Sequence, residues 1–198
     1  MPSSNHAADP SNGWEAIAQQ FMDYRTSNIG AAIVSGWAKS FERGDAVLDI
    51  GCGFGGTYTN ELTKRELEIH GIDASMTLIK EYQKKFPGAP SKCEAAEESS
   101  FFGRTFDGVL SIGLIFLLSE KAQISVLHKI AVSLKAGGRF LFSSPYQVCE
   151  WDDLSTGRKS RSLGRERYVS ILEVHGMSLV NEYTDEGESH YFEFQKNG

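Results

Sequence analysis

The sequence predicts an α/β fold built on a mostly parallel sheet, in a single domain, and three observations carry that expectation. Ala46-Val47-Leu48-Asp49-Ile50 is an apolar run around one acid that stops at Gly51, Gly53, Gly55 and Gly56. That is the pattern of a buried strand ending in a turn of bare main chain. A second short apolar run, Leu67 to Ile72, ends in Asp73. Strand-like and helix-like segments then alternate down the chain, the order that builds a parallel sheet from crossover units.

The elements follow from periodicity and punctuation. Two helices precede the first strand: Gly13 to about Arg25, and one capped by Ser27 whose Ile29, Ala32, Ile33, Gly36 and Trp37 share a face. After the glycine turn a helix runs to about Lys64 and leads into the second strand. A helix from Ser75 to Phe86 is stopped by Pro87-Gly88, the third strand lies near Ser91 to Ala95, and the fourth covers Asp107 to Gly113. Ser119 caps a long helix, Glu120 to Leu134, with Gly137 at its end. Strand five is Arg139 to Ser143, stopped by Pro145. A polar loop of about eighteen residues then runs to Leu163, a length that marks a lid or binding loop. Helix Arg165 to His175 ends at Gly176, and two extended segments, about Met177 to Thr184 and Ser189 to Lys196, flank the turn Asp185-Glu186-Gly187-Glu188.

Composition narrows the partners. The chain has 198 residues, 40% hydrophobic and 23% charged, enough for one ordinary core and too few for two. No apolar run approaches the roughly 20 residues that span a bilayer. Residues 1–12 are small and polar without an apolar signal core, so we expect a disordered leader and a cytoplasmic protein. Cys52, Cys93 and Cys149 have neither paired nor metal-ligand spacing and are expected to be reduced thiols. A net charge of −6 opposes the electrostatic footprint of a nucleic-acid binder. The basic cluster Arg158, Lys159, Arg161, Arg165 and Arg167 is expected to be a solvated loop and helix start, with an anion-binding patch as the alternative. What remains is a soluble protein with a small-molecule partner, no nucleic acid and no membrane, as monomer or homodimer.

Glycines are needed where the chain turns at positive φ, or where a ligand lies against main chain with no Cβ between. An acid at the tip of the second strand, here Asp73, is placed to accept hydrogen bonds from a ribose diol. Strand, glycine loop, helix, strand and acid together form a nucleoside-binding half. Gly51-x-Gly53-x-x-Gly56 also satisfies the dinucleotide fingerprint, which keeps a small NAD-dependent dehydrogenase open. What discriminates is Asp49, two residues before the first glycine. Val-Leu-Asp-Ile-Gly-Cys-Gly-x-Gly resembles motif I of the class I S-adenosylmethionine-dependent methyltransferases. The resemblance spans roughly residues 45 to 144, through Gly71-Ile72-Asp73-Ala74-Ser75, Phe106-Asp107-Gly108-Val109-Leu110 and Leu134-Lys135-Ala136-Gly137-Gly138-Arg139-Phe140.

That resemblance implies a single Rossmann-like domain over residues 13–198. Its mixed seven-stranded sheet has the order 3-2-1-4-5-7-6, strand seven antiparallel, with helices on both faces. Residues 13–43 would cap the site and residues 145–163 would form a substrate-side loop. The implied cofactor is S-adenosyl-L-methionine, leaving as S-adenosyl-L-homocysteine. Gly51, Cys52 and Gly53 would lie against its methionine part, and Asp49 would order the glycine turn. Asp73 would hold the ribose, and Ala74, with Met76, would flank the adenine. Where many members carry Gly-Asp-Ala, this chain has Glu94-Ala95-Ala96-Glu97, so Ala96 main chain and Glu97 are assigned to the adenine end.

Ligands of an open α/β sheet bind beyond the carboxyl ends of its strands, where strand order reverses, here between the first and fourth. Ser111 to Leu114, Tyr146, Trp151, Asp152 and His190 should share that rim. A sulfonium methyl is already activated, so the protein mainly aligns it with the acceptor and excludes water. His190 is the expected general base, because an imidazole titrates near neutrality, and Asp152 would orient it or bind substrate. Tyr24 and Arg25, with Tyr146 and Trp151, would form the lid. No Asn/Asp-Pro-Pro-Tyr segment, Pro-Cys nucleophile or magnesium-type acidic cluster is present, leaving a small organic O, N or S acceptor and no metal. A cyclase or isomerase that keeps the cofactor's methyl, and a nonenzymatic partner subunit, stay open. Ser162-Leu163-Gly164 and Asp185-Glu186-Gly187 receive no role from sequence alone.

Overall fold

Why the chain folds around residues 46–73 is visible in the first two strands of the computed structural model, which describes residues 9–24 and 28–198. β1 (Ala46–Ile50) is buried along its whole length and β2 (Glu68–Asp73) nearly so. Both have apolar side chains on alternate faces, which only a strand covered on each side needs. Their neighbours are β3 (Ser91–Cys93), β4 (Phe106–Ser111), β5 (Leu134–Ser143), β8 (Met177–Thr184) and β9 (His190–Lys196), and the sheet runs β3-β2-β1-β4-β5-β9-β8. β1 to β5 pair in parallel, and β9 is antiparallel to both β5 and β8. This is the expected order of seven strands, in the Rossmann-like arrangement.

Helices cover both faces. α2 (Ala31–Ala38) and α3 (Thr57–Lys64) bury Val34, Trp37 and Leu62 against Val47, Ile69, Leu110 and Leu141. At Gly108 a Cβ would lie 2.6 Å from Phe41, so bare backbone there lets Trp37 and Phe41 reach the sheet. α4 (Met76–Lys85) follows β2, its Ser75 cap accepting from the Leu78 amide. α5 (Glu120–Ser133) and α6 (Arg165–Glu173) close the opposite face over Phe140, Phe142, Phe192 and Phe194. Phe142 stacks on Phe140 within β5 at 4.8 Å and across to Phe192 and Phe194 of β9 at 5.2 and 6.2 Å. Such cross-strand aromatic pairs favour one register, and that register sets where His190 emerges.

Several sequence expectations are corrected. The segment 145–163 is not a polar loop: β6 (Val148–Asp152) and β7 (Lys159–Leu163) pair as an antiparallel hairpin. α5 ends at Ser133 rather than at Gly137, because Lys196 of β9 donates to the carbonyls of Ala131 (2.6 Å) and Leu134 (2.9 Å) and takes up the helix end. Gly137 instead lies inside β5 at φ 76°, beside the register shift that separates Phe106 from Gly108. α1 is described over Trp14–Tyr24; the expected helix end Arg25 lies outside the described residues, as does the expected cap Ser27. Gly30, at φ 75°, occupies the cap position of α2, and Ile29 sits in the turn before it. Of the expected leader, residues 1–8 lie outside the described residues. Asp9 to Asn12 make an ordered turn: Asp9 accepts from the amides of Ser11 and Gly13, and the Asn12 amide donates to the Leu117 carbonyl at 3.0 Å.

Ser162-Leu163-Gly164 acquires a role as the joint that seats the hairpin. Ser162 Oγ donates to the Pro145 carbonyl at 2.6 Å and accepts from the Gly164 amide at 3.0 Å. Gly164, at φ 80°, has Val148 Cγ2 only 2.7 Å from where a Cβ would stand. The buried Tyr168 hydroxyl accepts from the Leu163 amide (3.1 Å), donates to Gln123 Oε1 (2.9 Å) and shares a hydrogen bond with Ser144 (2.9 Å). Removing that oxygen orphans buried polar partners, so Tyr168→Phe is expected to lower the unfolding free energy by about 1–3 kcal/mol in urea titration.

Candidate active site

The glycine turn begins where β1 runs out. The amides of Gly51 and Cys52 both donate to the Ile72 carbonyl, at 2.8 and 3.0 Å, which folds the turn back over the end of β2. Gly51, Gly53 and Gly55 hold φ values of 76°, 57° and 64°, accessible to glycine at little cost. Leu114 and Phe86 pack so closely on Gly51 and Gly55 that Cβ atoms would stand 3.0 and 2.3 Å from them. At Gly53 the nearest such contact is Phe21, 3.9 Å away. Gly51 and Gly55 are filled from the protein side; Gly53 leaves main chain open.

Asp73 fastens this turn. Its two carboxylate oxygens accept from the Gly53 amide at 3.0 Å and from the Ser75 amide at 2.8 Å, so one side chain joins the glycine turn to the head of α4. Burial pushes its carboxyl above the usual range, and the two amides oppose that shift. Asp49 lies beneath the turn. Burial raises its carboxyl to about 7 against the pull of Thr59 Oγ1, which donates to it at 3.2 Å. Cys52 lines the cavity, and burial pushes its thiol well up, away from thiolate chemistry.

Around these residues lies a cavity of about 530 Å³. Of the residues assigned to the cofactor from sequence, Gly51, Cys52, Gly53, Asp73, Ala74, Ala96 and Glu97 line it. Asp49 does not, and acts on the turn from below. Met76 stands half exposed outside the lining. Ser111 is also outside: it is fully buried, and its hydroxyl donates to the Ile50 carbonyl at 3.2 Å, tying β4 to β1. The loop after β3 is held from behind by Lys129 of α5, whose ammonium donates to the carbonyls of Ala96 (2.7 Å), Glu97 (3.1 Å) and Ser99 (2.7 Å). Burial lowers the Lys129 pKa, while Glu97 and Glu94 oppose that shift.

Pro10, Trp14 and Phe21 roof the cavity. Phe21 meets Trp14 edge-on at 5.0 Å and Phe54 of the glycine turn at 5.7 Å. Glu15 latches α1 down: its carboxylate accepts from the Ser75 hydroxyl, the Thr77 amide (3.1 Å) and the Thr77 hydroxyl (2.7 Å), supplying an anion to the first turn of α4. The Ser75 hydrogen bond is the main cause of a lowered Glu15 pKa. Tyr24, expected in the lid, is 78% exposed at the far end of α1 and lines neither cavity; Phe21 is the last residue of α1 to line the first one. Sequence reasoning missed Glu15, whose partners lie about sixty residues away; a glutamate in the first turn of an amphipathic lid helix was the available signal.

A second cavity, of about 710 Å³, adjoins the first and shares Tyr58, Ile112 and Gly113 with it. Tyr146, Trp151 and His190 line it. His190 Nε2 lies 3.2 Å from Glu182, and Glu182 in turn accepts from Arg165 Nε at 3.0 Å. Asp152 does not reach His190. Strand alternation turns it outward on β6, where its exposed carboxylate pairs with Lys159 at 2.9 Å. Glu182 takes the place proposed for it, and the hairpin register supplies the signal: Thr184 pairs with His190, so Glu182 lies diagonally opposite on the same face. Asp185 accepts from the Gly187 and Ser189 amides and from the Tyr191 hydroxyl (2.8 Å), and Glu186 accepts from the Gly30 amide. The Asp185-Glu186-Gly187 run therefore braces the wall of this second cavity.

Residues 47–138 match the family profile described as Methyltransferase domain. This stretch of the chain is a methyltransferase domain. No curated protein sequence matches it. Its fold is that of solved methyltransferases of low identity. The 1,6-didemethyltoxoflavin-N1-methyltransferase of Burkholderia thailandensis, solved with 1,6-didemethyltoxoflavin and S-adenosylhomocysteine, is 17% identical. The match covers 100% of this chain and 92% of that one at a TM-score of 0.77. The N-methyltransferase NodS of Bradyrhizobium japonicum, solved with S-adenosyl-l-homocysteine, is 14% identical over 96% and 100% of the two chains, TM-score 0.75. A TehB-like methyltransferase of Corynebacterium glutamicum is 19% identical over 95% and 98%, TM-score 0.69.

Within this methyltransferase the acid beneath the glycine turn gives a stability prediction. Asp49 has its folded pKa raised from 3.8 to about 7, so between those values the unfolded chain releases a proton that the folded one keeps. Its contribution is therefore unfavourable as pH rises from about 4 through 7. Asp49→Asn should flatten that fall, making the variant about 1–3 kcal/mol more stable than the parent at pH 8 relative to pH 5, by urea unfolding.

Proposed function

We propose that the protein transfers a methyl group from S-adenosyl-L-methionine to a small organic acceptor by in-line displacement. The first cavity takes the cofactor and the second the acceptor. The observation that carries this reading is that the two cavities share one wall, Tyr58, Ile112 and Gly113, at the carboxyl end of β4. A reacting pair held there would meet across it.

The residues fit the cofactor. Open main chain at Gly53 suits the methionine portion and the Asp73 carboxylate suits ribose hydroxyls. Ala74, Ala95 and Ala96, with the loop that Lys129 holds, leave a shallow slot for a flat base. When bound, the cofactor supplies a methyl made electrophilic by its sulfonium. The protein's own part is alignment and exclusion of water, for which Trp14, Phe21 and the Glu15 latch close the roof. His190 is assigned as general base. Glu182 binds its Nε2–H, which leaves Nδ1 as the lone-pair nitrogen able to take the acceptor's proton. Three free thiols suit a reducing compartment, and we assign the reaction to the cytoplasm.

The reading is tested by incubating the protein and labelled S-adenosyl-L-methionine with a metabolite panel and following, by mass spectrometry, a gain of one methyl. With an acceptor in hand, His190→Ala is expected to lower kcat by about 100-fold or more while leaving cofactor affinity unchanged. An unaltered kcat would remove His190 from the chemistry.

A further inference from the structure

We propose that the acceptor is a planar nitrogen base that enters the second cavity neutral or cationic, and that the methylated atom is nitrogen. This rests on the assignment of the two cavities to cofactor and acceptor, and it follows from the walls, the charges and the proton route of the second one.

Its walls include the rings of Tyr58, Phe116, Tyr146, Trp151 and Tyr191. Phe116 and Trp151 lie 5.4 Å apart, bringing the loop after β4 against the β6–β7 hairpin. Ring faces present negative charge, so such a box holds flat ring systems and favours those bearing positive charge. Its ionised lining residues have the same bias. Asp185 and Glu188 are carboxylates, and no Lys or Arg lines the cavity among the described residues. The nearby cations are engaged outside it: Lys159 with Asp152 at 2.9 Å, Arg161 with Glu150 at 3.3 Å, and Arg165 with Glu182 at 3.0 Å. A carboxylate or phosphate acceptor would face like charge, while an amine or ring nitrogen would face opposite charge.

The chemistry distinguishes nitrogen from oxygen in the same direction. A nitrogen lone pair forms the new N–CH₃ bond as the C–S bond breaks, the bonding pair passing to sulfur to leave a neutral thioether. An acceptor that enters cationic first gives a proton to Nδ1 of His190, which frees that lone pair, and its nitrogen is cationic again once methylated, where aromatic faces and carboxylates stabilise it; an acceptor that enters neutral becomes cationic on methylation and gives its proton to Nδ1 afterwards. An alcohol or phenol would instead build negative charge on oxygen as it loses its proton, in a cavity whose ionised lining repels it. Nδ1 has no hydrogen-bond partner among the described residues, and its neighbours Tyr146 and Phe192 meet the ring edge-on at 5.3 and 4.6 Å.

The test uses full-length protein saturated with S-adenosylhomocysteine, saturation being established by the rise in Tm that this compound gives alone. Calorimetric titration then compares tryptamine with indole-3-propionate, which carry the same ring and chain with opposite charges. Tryptamine is expected to bind about tenfold more tightly, and Glu188→Gln to shrink that ratio to about threefold. Equal or tighter binding of the propionate, or binding of neither at millimolar concentration, overturns the acceptor class and leaves the cofactor site standing. Absence of the Tm rise itself overturns the underlying two-cavity assignment.

Discussion

The structure depends on one short-range constraint, the carboxylate of Asp73 bridging two backbone amides. Gly53 belongs to the turn after β1 and Ser75 to the cap of α4, and without a shared acceptor both amides would compete for water at the mouth of the cavity. The bridge fixes a turn that otherwise has only glycine's freedom, and three left-handed glycines at alternate positions make that freedom large. Asp73 also lines the cavity, so the side chain that orders the turn lies beside any ligand held there. Preorganisation and recognition thus share one carboxylate.

The cavity is further defined by forces acting from outside its lining. Lys129 gathers three carbonyls of the loop after β3 from behind, and Glu15 pins the roof helix to the head of α4. Asp49 is the unfavourable partner, an acid kept beneath the turn at the expense of an upward-shifted pKa. Strain of that kind is common where function sets the residue rather than stability. Beside the second cavity the phenylalanine stack of β5 and β9 fixes the register, and the register delivers His190 and Glu182 to one face.

Much of this was legible in the sequence because the informative chemistry is local. Glycines 51, 53 and 55 need positive φ, and Asp73 ends its strand within hydrogen-bond reach of them, so turn and acid could be named from spacing alone. The strand order followed from the family resemblance. Less legible was whatever depends on pairing between distant segments. The β6–β7 hairpin has short strands in which polar side chains such as Ser160 and Ser162 face inward, so its alternation carries no hydrophobic signal. Asp152 was read as a partner of His190 because both sit on one rim, but strand alternation sends it to Lys159. Ser111 ends β4 on the rim, yet its hydroxyl turns down to the Ile50 carbonyl. Tyr24 lies more than two turns beyond Trp14 on α1, past the part of the helix that touches the cavity.

The central claim is that open main chain at Gly53 and the carboxylate of Asp73 together hold an adenosyl ligand. Isothermal titration of S-adenosyl-L-homocysteine into the parent protein and into Asp73→Ala, both shown folded by circular dichroism, tests it directly. The account predicts one site on the parent and a loss of at least about 100-fold in affinity in the variant, as expected when a charged hydrogen-bond acceptor is removed from both ligand and turn. No heat with the folded parent, or equal affinity in the two proteins, would contradict it.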